Sequence, residues 1–224
     1  YCCKKKGPYM KYDTIIFDLD GTLLDTLEDL MDSLNHALVM HGYEPRTLEQ
    51  VRQSVGDGVK MLVRRSLPEN TTDEEIEKCL SDFTSHYKTN MQNKTRPYNG
   101  IKEILYTLKI FKCNVAIVSN KFDSAVKELA DYYFPGMIDA AIGESAEVRR
   151  KPAPDSIYAA IRRLGSDISK SIFVGDSETD VRTAKNAGIP CIGVTWGFRS
   201  RRVLEKEGAD YIIDYPTELF SILK

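Results

Sequence analysis

The chain has 224 residues, of which 42% are hydrophobic and 29% charged, and a formal net charge of −2. That is globular material of one or two domains rather than a disordered chain. No basic excess exists to neutralise phosphates, and no run approaches the roughly 18 apolar residues of a membrane span, so neither nucleic acid nor membrane is expected as a partner.

Residues 1–9 carry Lys4-Lys5-Lys6 with no signal-type apolar run behind them, and read as an appendage ahead of a start at Met10. Five cysteines, an odd number with no CxxC spacing, read as reduced thiols in a cytoplasmic protein. The first strand is predicted over Thr14–Phe17. Its apolar run breaks into Asp18-Leu19-Asp20-Gly21-Thr22. Charged side chains are rarely buried unless paired, so two aspartates at the end of a core strand call for a partner.

From 27 to 93 the pattern turns helical. Leu27, Leu30, Met31, Leu34, Ala37 and Leu38 follow helical spacing. Further helices are predicted over 47–54, over 59–66, and from a capping box at Thr72-Asp73-Glu74-Glu75 to about Asn90. Gly56 and Gly58 suggest a tight loop before the third of these. Lys60 and Arg64 then lie four apart on one face. His36, His41 and His86 show no ligand spacing. Thr95-Arg96-Pro97-Tyr98-Asn99-Gly100 suits a hinge or turn.

Beyond it, strands are predicted over 114–118, 138–142, 171–175, 191–195 and 211–213, and helices over 123–132, 155–164, 178–187 and 201–207. Strands without clean alternation, spaced by helices, imply an α/β fold: a doubly wound, Rossmann-like parallel sheet. The catalytic core is then 10–26 plus 94–224, with 27–93 inserted as a small helical domain.

Polar residues collect at the strand ends, where such sheets bind ligands. Asp18 and Asp20 follow the first strand, Ser119-Asn120-Lys121 the second, Lys151 the third after a short loop, and Asp176 and Asp180 the fourth. Converging carboxylates demand a cation. Mg²⁺ suits them, since it binds one or two carboxylates together with phosphate oxygens.

On these residues the chain resembles the haloacid dehalogenase superfamily of phosphohydrolases. Asp18-Leu19-Asp20-Gly21-Thr22, Ser119, Lys151 and Gly175-Asp176-Ser177-Glu178-Thr179-Asp180 look like its four motifs in order, and 27–93 is similar to its helical cap. The resemblance implies that Asp18 is the nucleophile and Asp20 the acid and base. It implies Mg²⁺ on Asp18, the Asp20 carbonyl and Asp176, with Asp180 supporting that shell and orienting Lys151. Ser119, Asn120 and Lys151 would bind the phosphate.

Val118-Ser119-Asn120-Lys121, Val55-Gly56-Asp57-Gly58 and Gly193-Val194-Thr195-Trp196-Gly197-Phe198 look most like the phosphoglycolate phosphatase-like branch. The expected substrate is a small phosphorylated metabolite. Gly56, Lys60, Arg64 and Lys121 are candidates for reading it, with Lys60 or Arg64 meeting a substrate carboxylate. Arg199, Arg201 and Arg202 read as solvated, and Trp196 as packing. A phosphomutase of the beta-phosphoglucomutase type and a pyrophosphatase share these motifs. A dehalogenase needs neither Asp20 nor Asp176, and a silent binding module would not keep the set intact. A monomer or homodimer is expected.

Overall fold

The computed structural model describes residues 10–224, so the appendage expected over 1–9, with Cys2 and Cys3, lies outside the described residues. Strand β1 (Thr14–Phe17) is followed by a short β2 (Leu24–Asp25). Helices α1 (Leu27–Met40), α2 (Leu48–Ser54), α3 (Val59–Ser66) and α4 (Asp73–Asn90) come next, and β3 (Arg96–Pro97) brings the chain back. Helices and strands then alternate: α5 (Ile101–Ile110), β4 (Asn114–Phe122), α6 (Asp123–Tyr133), β5 (Ala140–Glu144), α7 (Asp155–Leu164) and β6 (Ser171–Gly175). The series continues with α8 (Glu178–Ala187), β7 (Cys191–Val194), α9 (Arg201–Glu207), β8 (Tyr211–Ile213) and α10 (Leu219–Leu223).

The main sheet has the order β5-β4-β1-β6-β7-β8, and every neighbouring pair is parallel. Strand order reverses beside β1, so a crevice opens past its carboxyl end. All four residues of β1 are buried. Alternation sends Ile15 and Phe17 into one apolar cluster, with Ile104 and Leu108 of α5 and Val126 of α6. Ile16 joins the opposite cluster, with Ile157 of α7, Val181 of α8 and Leu204 of α9. Coverage on both faces explains why the strands read as continuous apolar runs.

The elements depart from the sequence reading in places, among them β5, predicted over 138–142 and found over Ala140–Glu144. Strand β4 continues past Val118 to Phe122, with a register shift between them. Helix α5 went unpredicted, although Ile101, Ile104, Leu105 and Leu108 are buried at helical spacing. The stretch read as a hinge or turn holds β3, which pairs antiparallel with β2, Leu24 opposite Pro97. Proline is tolerated there because the ribbon has only edges.

Both linkers of the helical layer therefore run side by side. The exit linker is held by Asp29, 1% exposed in the first turn of α1, which accepts from the Lys94 N–H at 3.0 Å and the Thr95 N–H at 2.8 Å. Reciprocal capping boxes open α2 (Thr47 with Gln50) and α4 (Thr72 with Glu75). Of the cysteines in the described residues, Cys79, Cys113 and Cys191 are buried free thiols.

Candidate active site

The Asp18 N–H donates to the Val174 carbonyl at 2.9 Å, extending the β1–β6 pairing to the sheet rim. The Leu19 carbonyl then accepts from the N–H groups of Thr22, Leu23 and Leu24 at 3.3, 3.0 and 3.0 Å, which curls the chain into a tight turn. Gly21 has φ +86°, and a Cβ there would lie 2.4 Å from Asp176 Oδ2. Glycine meets both demands at once. The turn presses against Asp176, whose Oδ1 accepts from the Thr22 hydroxyl at 3.1 Å and whose Oδ2 accepts from the Phe198 N–H at 2.7 Å.

Lys151 is buried in the crevice, its Nζ 2.8 Å from Asp18 Oδ1 and 2.6 Å from Asp180 Oδ1. The Leu19 N–H also reaches Asp18 Oδ1, at 2.7 Å. Asp180 Oδ2 accepts from the N–H groups of Asp176 and Ser177 and from the Ser177 hydroxyl, at 3.1, 3.0 and 2.7 Å. Both of its oxygens are thus engaged, and Asp180 holds Lys151 and the loop after β6.

Oxygens of Asp18, Asp176 and Asp180 lie within 4.8 Å of one another, all buried. Burial first, then the Asp180 carboxylate, pushes the Asp18 carboxyl well above its usual range, against the pull of Lys151. The same two causes push Asp176 up to about 7. Burial acts to lower the Lys151 pKa, but Asp18 and Asp180 outweigh it and the ammonium is strengthened. One ammonium facing three buried carboxylates leaves negative charge uncompensated. The oxygen-only donor set therefore fits a hard divalent cation such as Mg²⁺.

Ser119 is buried at the bulged end of β4, with its Oγ accepting from the Lys121 N–H at 3.3 Å. Asn120 lines the same crevice. Its Oδ1 accepts from the Lys151 N–H at 2.7 Å, and its Nδ2 donates to the carbonyls of Lys151 and Gly56, both at 3.1 Å. The Asn120 side-chain amide thus ties the Lys151 backbone and the Gly56 carbonyl to the end of β4. Lys121 turns to the other carboxylate of the first turn. Its buried Nζ lies 3.0 Å from Asp20 Oδ1 and 4.7 Å from the centre of the Tyr87 ring, which α4 supplies from above. Burial opposes the Lys121 charge, but Asp20 and Tyr87 outweigh it and raise its pKa.

The helical layer roofs this crevice with Leu30, Val55, Gly56, Gly58, Val59 and Leu62. The resulting cavity of about 50 Å³ has room for a few waters. Lys60 and Arg64 are not among its walls. Lys60 pairs with Glu77, and Arg64 lies 3.7 Å from Asp73, both about half exposed. The reason is rotational. Val59, Leu62 and Val63 take the buried face of α3 and turn the two cations to the acidic start of α4.

Arg199 departs from the sequence reading. Read as solvated, its side chain is 13% exposed, pairs with Glu178 at 2.9 Å, and lines the cleft. Arg201 does sit at the surface, on Asp214. Trp196 is half-buried and donates from Nε1 to the Thr22 carbonyl at 3.0 Å. Sequence patterning carried no signal for the roles of Arg199, Tyr87 or the Phe198 N–H. The cue to this segment is its place just past a strand end, within the stretch Gly193-Val194-Thr195-Trp196-Gly197-Phe198 that carries the resemblance to the branch.

A doubly wound sheet with strand-end Asp18, Ser119, Lys151 and Asp176 defines a class. The model of the haloacid dehalogenase-like hydrolases matches residues 15–194, and the chain belongs to that family of enzymes. It is 36% identical over 204 residues to a phosphoglycolate phosphatase of Agrobacterium fabrum, covering 89% of this chain and 87% of that one. A phosphoglycolate phosphatase of Mesorhizobium japonicum is also 36% identical, over 88% and 89% of the two chains. Among solved structures, a candidate phosphoglycolate phosphatase from Lactobacillus delbrueckii subsp. bulgaricus superposes with a TM-score of 0.91 at 37% identity, over 96% of this chain and 99% of that one. No described helix is long and apolar enough to cross a membrane.

Proposed function

We propose that the protein is a Mg²⁺-dependent cytoplasmic phosphatase that hydrolyses a small phosphomonoester, phosphoglycolate or a close analogue, through an aspartyl phosphate on Asp18. The observation that carries this reading is the Asp18 carboxylate at the end of β1, held by buried Lys151 at 2.8 Å beside Asp176 and Asp180. The relatives named as phosphoglycolate phosphatases support the choice of ester.

In this mechanism Asp18 attacks phosphorus and the ester oxygen leaves. Asp20 gives that oxygen a proton, then takes one from the water that cleaves the acyl phosphate, releasing inorganic phosphate and restoring Asp18. Ser119 and Lys151 hold the phosphoryl oxygens, while Lys121 fixes the orientation of Asp20. Asp18, the Asp20 carbonyl and Asp176 would hold the ion. When bound, Mg²⁺ would offset the charge of the carboxylates and of the phosphoryl group. The small, largely apolar roof leaves room for the attacking water but not for bulky leaving groups.

The test is release of inorganic phosphate from phosphoglycolate, glucose 1-phosphate, pyrophosphate and p-nitrophenyl phosphate, with and without Mg²⁺. The reading expects phosphoglycolate to lead and chelation to abolish turnover. Phosphate returned to a sugar would make the protein a mutase. No turnover of any ester would sink the proposal.

A further inference from the structure

Four consecutive residues past β7 touch the candidate metal ligand Asp176, the nucleophile turn and the helical layer together. Trp196 bonds the Thr22 carbonyl at 3.0 Å, and the Phe198 N–H bonds Asp176 Oδ2 at 2.7 Å. Gly197 packs so closely that a Cβ would lie 2.3 Å from Asp176 Cβ and 2.4 Å from the Gly21 carbonyl oxygen. Arg199 then reaches across the cleft. Its Nε donates to Glu178 at 2.9 Å, and its two terminal nitrogens donate to the carbonyls of Arg52 and Val55, each at 2.7 Å.

Those carbonyls lie at the end of α2, where a helix leaves C=O groups without partners inside it. The Val55 N–H closes on Val51, and Arg65 takes the Ser54 carbonyl at 3.0 Å. Arg52 and Val55 are satisfied from the far side of the cleft. Next in sequence comes Gly56, which lines the cavity and whose added Cβ would lie 3.6 Å from Arg199 Nη2.

We propose that Arg199 is a positioning residue that latches the 55–58 loop over the cleft from a segment whose backbone is set by Asp176. A guanidinium is a planar fork of five donors, so one edge can stay on Glu178 while the other spans two carbonyls. Charge-assisted bonds of this kind are the strong ones. Thr179 to Asp57 at 2.9 Å, Asn120 to Gly56 at 3.1 Å and Arg150 to the Asp57 carbonyl at 3.1 Å finish the seam. Lifting the loop hands every one of these groups to water, so the latch reverses without leaving a buried donor unpaired. The inference concerns loop position, and stands whichever ester is turned over.

The experiment is hydrogen exchange on the full chain without substrate, comparing wild type, Arg199→Ala and Arg199→Lys. Losing two charge-assisted bonds should speed exchange over 52–59 by about tenfold or more in Arg199→Ala, with β1 and β6 unchanged. Guanidinium at a sub-denaturing concentration should slow it again, and should raise kcat/KM for p-nitrophenyl phosphate in the same variant. Arg199→Lys keeps the charge but not the fork, and should show the faster loop alone. Wild-type exchange over 52–59 in both variants overturns the latch. Should Arg199→Ala loosen β1 and β6 as well, Arg199→Lys decides by the same criterion. A wild type inactive on every ester sinks the phosphatase reading and leaves the exchange result standing.

Discussion

Asp18 illustrates how a residue can be legible in sequence before its surroundings are known. A carboxylate just past a buried strand has to face a crevice or break the core, and the same reasoning exposes Lys151 and Asp176. Replacing Asp18 by Asn removes the nucleophile, so turnover should fall to background in a purified sample. The substitution also takes one carboxylate from a crowded, buried set. The melting temperature in chelator should therefore stay level or rise. Activity above a few per cent of wild type would overturn the nucleophile assignment. Lys60 and Arg64 show the opposite case. Their spacing was visible, but the face of α3 they occupy is set by which residues the core takes, and that is a tertiary fact. Lys60→Ala and Arg64→Ala should each leave kcat/KM within about twofold on every ester and cost less than about 1 kcal/mol, as exposed ion pairs do. A fall confined to carboxylate-bearing esters would return them to the specificity set. The contacts of Asn120 and two of the three that Arg199 makes are hidden for a related reason: those partners are backbone carbonyls and amides, which leave no trace in residue identity.

At the scale of elements, β1, α3, α7, β6, α8, α9 and β8 stand where the pattern puts them, because caps, glycines and apolar runs mark their ends in the chain itself. The β2–β3 ribbon does not, since two residues on each side carry no periodicity and the pairing joins segments far apart in sequence. Asp29 holds that junction. Asp29→Ala would strip the partner from the buried Thr95 N–H and from the Lys94 N–H. A cost of about 1–3 kcal/mol is expected, read as a lower urea midpoint. An unchanged midpoint would mean that water replaces the carboxylate. The segment after β7 is under tighter constraint. In Gly197→Ala the new methyl would meet Asp176 and the Gly21 backbone, neither of which can give way. Mg²⁺ affinity measured by calorimetry should drop by at least tenfold, or the chain should fail to accumulate folded. Wild-type affinity would show that the Asp176 loop is looser than its packing implies.

For the molecule as a whole, the buried carboxylates tie stability to pH and to the ion. With the ion chelated, Asp176 titrates near 7 in the folded chain, far above its usual 3.8, and Asp18 is raised as well. The folded state keeps protons that the unfolded state has already lost. The stability contributed by these two groups is thus fully present below about pH 4 and is lost as pH rises through about 7. Mg²⁺ competes with those protons, so its gain in melting temperature should be larger at pH 8 than at pH 5. Equal gains at both would place the ion elsewhere. The paired linkers carry a different implication. Thr14 lies opposite Asn114 in the sheet and Leu24 opposite Pro97 in the ribbon, so the helical layer enters and leaves through one doorway. An insertion with its ends together is one that a folded domain tolerates gaining, losing or exchanging. Over a lineage, selectivity could then drift by grafting a new roof while the phosphoryl-handling floor is inherited intact.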